Sequence, residues 1–120
     1  MKKVLVVEDH PDVLAFLTLK MEAMGFAVIS ANNGKQGVAK AIEEKPNLIL
    51  MDILMPGMDG REAIRIIRSK KKTKHIPILV TTGLFRESEL NECIEAGCND
   101  YIVKPFAPNE LVSRIEQLLV

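Results

Sequence analysis

Asp52 sits in oily company. In "LILMDILMPGMDG", residues 48–60, four apolar residues lead to this carboxylate, three more follow, and Pro56 and Gly57 then break the chain. An acid in such surroundings costs folding free energy unless something binds it. Other groups with chemistry to offer follow similar short apolar runs: Glu8 and Asp9 after "VLVV", Thr82 after "ILVT", and Lys104 after "YIV". Brought to one place, three carboxylates and one ammonium make a crowded acidic site. Carboxylates in contact repel, and one lysine cannot neutralise three of them, so a hard divalent cation is the natural missing charge. Mg²⁺ suits such a site because it takes few carboxylate oxygens and keeps waters that a phosphate can replace. Mn²⁺, which favours the same oxygen ligands, could substitute.

The elements that must position these groups are readable from periodicity. The runs at 4–7, 27–30, 48–51, 78–80 and 101–103 are too short for helices and suit strands. Three of them lack polar alternation, as parallel strands buried on both faces do. Between them, apolar residues recur in steps of three and four: Leu14, Leu17, Met21 and Met24; Val38, Ala41 and Ile42; Ile64 and Ile67; Leu90, Cys93, Ile94 and Gly97; Leu111, Ile115 and Leu118. Each set marks one face of a helix. Pro11 and Pro108 suit first helical positions, Gly25 and Gly97 suit left-handed helix ends, and Pro77 suits the first residue of a strand. Asp59 with Glu62 forms a capping-box pattern for the third helix. Five βα units result, a parallel sheet with helices on both faces, and in such a sheet the ligand site lies at the carboxyl ends of the strands. Glu8, Asp9, Asp52, Thr82 and Lys104 all stand there.

Composition is consistent with this and narrows the function. A chain of 120 residues fits one domain, 1–120, with one core. Sixteen basic residues balance sixteen acidic ones, which gives no support for nucleic acid or a membrane surface as the partner. No apolar run approaches the roughly 20 residues needed to span a bilayer, and "MKKVLVVED" is too short a signal, so a cytoplasmic location is expected. Cys93 and Cys98 show no metal-ligand spacing and read as buried free thiols.

"VLVVEDHP", "LILMDILMPGMDG", "PILVTTG" and "DYIVKPF" together resemble the receiver domain of bacterial two-component response regulators, over the whole chain. The resemblance implies a flavodoxin-like doubly wound sheet in the order 2-1-3-4-5. It implies that Asp52 is the phosphoacceptor, that Glu8 and Asp9 with Asp52 and the Leu54 carbonyl hold Mg²⁺, and that Lys104 pairs with the phosphoryl group. Pro105 would follow a cis peptide bond, and Thr82 and Tyr101 would be the switch residues. The implied function is a phosphorylation-dependent signalling switch, not an enzyme in its own right. A sensor histidine kinase or a histidine phosphotransfer protein would supply the phosphoryl group. The response would be carried by the fourth helix, fifth strand and fifth helix, toward an effector protein or domain or a phosphorylation-dependent homodimer. Gly83 departs from the alanine more usual in the family and "LFRES" is less acidic than in many members, which bears on switching more than on chemistry. Ending at Val120, just after the last helix, the sequence reads as a stand-alone receiver or one cut from a longer protein.

Blander readings apply to several residues. Asp59 is expected to be a helix cap. His10 is set aside as a ligand, because Mg²⁺ prefers oxygen and a helix-starting proline follows. The basic run "RSKKKTKH", 68–75, reads as a helix end and solvated loop, and Met51, Met55 and Met58 as packing. Two rival functions stand beside the switch. A degenerate receiver used only for docking conflicts with the intact acidic and lysine set, and a Mg²⁺-dependent aspartyl phosphatase would need a DxD that is absent after the strand.

Overall fold

The structure is a computed structural model, and it describes every residue except Leu84, Phe85 and Val120. The chain alternates β1 (Lys3–Val7), α1 (Pro11–Ala23), β2 (Ala27–Ala31), α2 (Gly34–Glu44) and β3 (Leu48–Asp52). It continues through α3 (Gly60–Ser69), β4 (Ile78–Thr82), α4 (Glu87–Ala96), β5 (Asp100–Val103) and α5 (Pro108–Leu118). The strands form one parallel sheet in the order β2-β1-β3-β4-β5, as the family resemblance implied. β1, β3 and β4, the apolar runs without alternation, are its buried interior; β2 and β5 are the partly exposed edges.

Each face of the sheet carries its own core. Val4, Val6, Leu48, Leu50 and Leu79 meet Leu17 and Met21 of α1 and Leu111 and Ile115 of α5. Leu5, Val7, Ile49, Met51, Ile78 and Val80 meet Ala41 of α2, Ala63, Ile64 and Ile67 of α3, and Cys93 and Ala96 of α4. Fully burying one such side chain is worth about 1.5–3 kcal/mol. The four apolar residues of β3 are all buried and so can offset the cost of carrying Asp52 inward at the strand's end. Met51 and Met55 are core residues and Met58 packs against them; Cys93 and Cys98 are buried and unbridged.

Helix punctuation follows the sequence closely. Pro11 and Pro108 open α1 and α5, and Gly25 (φ 91°) and Gly97 (φ 119°) close α1 and α4 in the left-handed region. At both ends the next residue's N–H reaches back, Phe26 to Met21 O (3.1 Å) and Cys98 to Cys93 O (3.2 Å), so the orphan carbonyls are met. Three readings need correction. Ile94 is half exposed, and Ala96 takes its place on the buried face of α4 with Leu90 and Cys93. Asp59 caps α3, but through the Arg61 N–H (2.7 Å) and the Arg61 guanidinium rather than by a reciprocal bond with Glu62. Arg68, the first of the basic run, is a clamp and not a solvated charge. Its guanidinium donates to Gly97 O (2.8 Å), Lys74 O (3.1 Å) and Asn99 Oδ1 (2.8 Å), tying the end of α3 to the α4–β5 turn.

Candidate functional site at the carboxyl ends of the strands

The parallel register brings the chemistry to one rim. Asp52 is the last residue of β3 and is paired with Thr81 of β4; Glu8 lies one residue past β1, where its N–H still donates to Ala31 O (3.0 Å). Lys104 lies one residue past β5, fixed by its own N–H on Thr82 O (2.7 Å), and the Lys104–Pro105 peptide is cis, as the family resemblance implied. These backbone bonds aim three side chains from distant sequence positions at each other. Lys104 Nζ reaches Glu8 Oε1 at 2.8 Å and Asp52 Oδ1 at 3.4 Å. Glu8 and Asp52 are both buried, so the ammonium serves carboxylates that water scarcely reaches.

Lys104 divides its charge unequally, and the acids respond accordingly. Burial works to raise the pKa of Glu8, but the hydrogen bond and charge of Lys104 and the bonds from His10 outweigh it and hold Glu8 below its ordinary value. Burial raises Asp52 to about 6; the more distant Lys104 opposes this only in part, and the neighbouring Glu8 charge adds to it. The rim therefore holds one firmly ionised acid and one reluctant acid.

The residues fit a divalent cation. Glu8, Asp9, His10 and Asp52 each offer a ligand atom, and these atoms lie within 4.8 Å of one another. Asp9 Oδ1 is buried and accepts no hydrogen bond, a carboxylate oxygen left for a cation to satisfy. No described backbone N–H donates to the Leu54 carbonyl, the further oxygen expected of this loop. The donor set is chiefly carboxylate oxygen, which suits Mg²⁺.

Glycine shapes the loop that carries Asp52. A Cβ on Gly60 would collide with the Asp52 carbonyl and stand 2.8 Å from Ile53 Cα, so only glycine lets α3 begin this close to the strand end. Gly60 N–H in turn donates to Ile53 O (3.0 Å). Gly57 turns the loop at φ 79° in open space.

Two further arrangements were not anticipated. His10 Nδ1 lies 3.1 Å from Glu8 Oε2 and 3.3 Å from Asp9 Oδ1, and the Glu8 bond, with the Asp9 and Glu8 charges, raises the imidazole pKa. Arg61, which caps back onto Asp59, also reaches Glu92 of α4 at 2.6 Å, so the start of α3 is linked to α4. The first follows from a side-chain rotamer and the second from helix packing, and sequence spacing specifies neither.

Thr82 and Tyr101 share a face. Val80 pairs with Tyr101 and Thr82 with Val103, and strand alternation puts Thr82 on the side of Ile78 and Val80. Thr82 is fully buried, and Tyr101 is part-buried against the α2–α3–α4 core, not out in solvent. Gly83 has an open surrounding; Leu84 and Phe85 of "LFRES" lie outside the described residues. Among the described residues no helix is long and apolar enough to cross a membrane.

Comparison with known proteins agrees with this geometry. Residues 4–116 match the response regulator receiver domain family. The chain is 43% identical to the transcriptional regulatory protein ResD of Bacillus subtilis over 98% of its own length and 48% of that protein's. It thus spans about half the length of such regulators. It is also 36% identical to protein PilH of Pseudomonas aeruginosa, over 99% of this chain and 98% of that one. Among solved structures it superposes on the receiver domain of a Pseudomonas aeruginosa sensor histidine kinase with a TM-score of 0.91 and 30% identity, covering 98% and 97% of the two chains. That structure carries a magnesium ion coordinated in its active-site cleft.

Proposed function

Since the chain belongs to the response regulator receiver domain family, we propose that it is a phosphorylation-dependent switch whose phosphoacceptor is Asp52. The observation that carries this reading is the buried Asp52 carboxylate at the end of β3, with the Lys104 ammonium 3.4 Å away and Asp9 Oδ1, a buried oxygen that accepts no hydrogen bond, in the same cluster. A carboxylate oxygen of Asp52 attacks phosphorus, the bond from phosphorus to the donor's imidazole nitrogen breaks, and the freed imidazole takes up a proton. Lys104 follows the charge, leaving Glu8 for the phosphoryl oxygens as negative charge spreads over them. Glu8, Asp9, Asp52 and the Leu54 carbonyl would hold Mg²⁺, which supplies positive charge to the same oxygens when bound.

In this role the chain accepts and releases a phosphoryl group and is not an enzyme acting on a separate substrate. The donor is a sensor histidine kinase or a histidine phosphotransfer protein, the setting cytoplasmic, and the recipient of the signal an effector protein or domain or a second copy of the chain. A small phosphodonor with Mg²⁺ tests the reading directly. Intact mass should rise by about 80 Da, one phosphoryl group, and Asp52→Asn should abolish the gain because an amide is a poor nucleophile. No gain in the wild-type chain would instead favour a docking module, and steady turnover of phosphomonoesters would favour a phosphatase.

A further inference from the structure

His10 occupies the position before α1 where a side chain ordinarily caps the first N–H groups, yet it makes no cap bond. Its ring turns back to the acids, with Nδ1 3.1 Å from Glu8 Oε2 and 3.3 Å from Asp9 Oδ1. Glu8 does not need it for charge balance, because Lys104 already holds Oε1 at 2.8 Å. Asp9 Oδ1 is buried and accepts no hydrogen bond, so the imidazole nitrogen and an unsatisfied carboxylate oxygen face each other. The ring is two-thirds exposed, which leaves an open approach from solvent.

We infer that His10 and Asp9 give this rim a nitrogen–oxygen site for a borderline-soft transition-metal cation, of which Zn²⁺ is the type. The inference rests on the reading that the rim holds a divalent cation, and it adds a second class of ion. Two ligand atoms each ~2.1 Å from a tetrahedrally held Zn²⁺ stand ~3.4 Å apart. Octahedral Mg²⁺ would bring neighbouring ligand atoms to ~2.9 Å. The observed 3.3 Å between His10 Nδ1 and Asp9 Oδ1 is close to the tetrahedral edge, and the 3.1 Å from the same nitrogen to Glu8 Oε2 lies between the two values. Glu8 Oε2, which loses the His10 ring but keeps the His10 backbone N–H as the metal takes Nδ1, and a carboxylate oxygen of Asp52 belong to the same cluster and complete the donors. The proton on Nδ1 leaves to solvent as the metal binds. Imidazole favours zinc over magnesium, so His10 sets which ions compete at the switch.

The full chain in a His75→Ala background, which removes the other histidine, is titrated with Zn²⁺ and separately with Mg²⁺ by calorimetry, with and without His10→Ala. The expected result is a fall of at least about tenfold in the ratio of zinc to magnesium affinity. Nitrogen NMR of the wild-type ring should show a large displacement of Nδ1 on adding Zn²⁺ and little on adding Mg²⁺. Equal losses for both ions, or zinc binding that ignores His10, would overturn the inference while leaving the magnesium-dependent switch intact. Zinc binding that depends on His10 in a chain that fails to take Mg²⁺ would support it and remove the basis of the switch instead.

Discussion

Lys104 Nζ stands 2.8 Å from Glu8 Oε1 and 3.4 Å from Asp52 Oδ1, so the lysine lies nearer to Glu8 than to Asp52, the proposed phosphoacceptor. The consequence is an imbalance between two buried carboxylates. Glu8 is held ionised, while Asp52 is raised to about 6. The rim is thereby charged for ligand binding at the expense of folding stability, and its acids can be separated experimentally.

The first prediction concerns stability. The folded chain binds the Asp52 proton more tightly than the unfolded chain, whose carboxyl has its ordinary value of 3.8. Between that value and about 6 the folded state holds the extra proton, so stability falls as pH rises through the window and stays reduced above it. Asp52→Asn removes the charge. It should stabilise the metal-free protein at neutral pH on the order of 2 kcal/mol, and much less near pH 4. Urea unfolding at the two pH values measures this; an equal gain at both would mean that burial of charge is not the cause.

Lys104→Ala should separate metal binding from phosphoryl transfer. The ammonium competes with any cation for Glu8 Oε1, so its removal should strengthen Mg²⁺ binding by roughly threefold or more as read by calorimetry. Labelling by a small phosphodonor should nevertheless slow by at least about tenfold, because the group that follows the phosphoryl charge is gone. Weaker Mg²⁺ binding in this variant would show that Lys104 organises the acids and does not oppose the cation.

Backbone crowding gives a third test. Gly60→Ala places a Cβ against the Asp52 carbonyl and Ile53 Cα, which must move apart. Overpacking of this kind costs about 1–3 kcal/mol, and here it also displaces Asp52, so both the melting temperature and labelling should drop. Gly57→Ala is the control: its φ of 79° is strained for alanine, but nothing lies within 4 Å of the added carbon. That variant should lose about 1 kcal/mol of stability with a smaller effect on labelling.

Which parts of this arrangement the sequence announces depends on how local their causes are. The β3 run ending in Asp52 and the Pro and Gly boundaries of α1 and α4 are local signals, and the structure follows them. The strand order came from the four motifs and their family resemblance, since periodicity does not choose among parallel orders. Side-chain partners are decided by rotamer and packing, and there the sequence was silent. His10 could be placed next to Asp9 in the chain, but not its ring against Glu8 and Asp9. The basic run showed its charge but not that Arg68 folds back onto Gly97 and Asn99. Ile94 fits a helical spacing as well as Ala96 does, and only the position of α3 against α4 decides between them.

The last prediction follows the signal out of the rim. Phosphorylation of Asp52 adds about one net negative charge and strong acceptor oxygens at the end of β3. Thr82, at the end of the adjacent strand, can donate its hydroxyl to one of them, and it lies on the same face as Tyr101. Tyr101 is already half seated against the core beneath α4, so the switch needs a change of packing rather than entry from solvent. Two such packings that differ by little free energy can be rebalanced by one local charge. The affected surface would be α4, β5 and α5. The Tyr101 ring signals should therefore move in NMR when a phosphate mimic is added with Mg²⁺, and Thr82→Ala should shrink that movement while Mg²⁺ still binds. Changes concentrated on α1 and α2, with Tyr101 unmoved, would place the output face elsewhere.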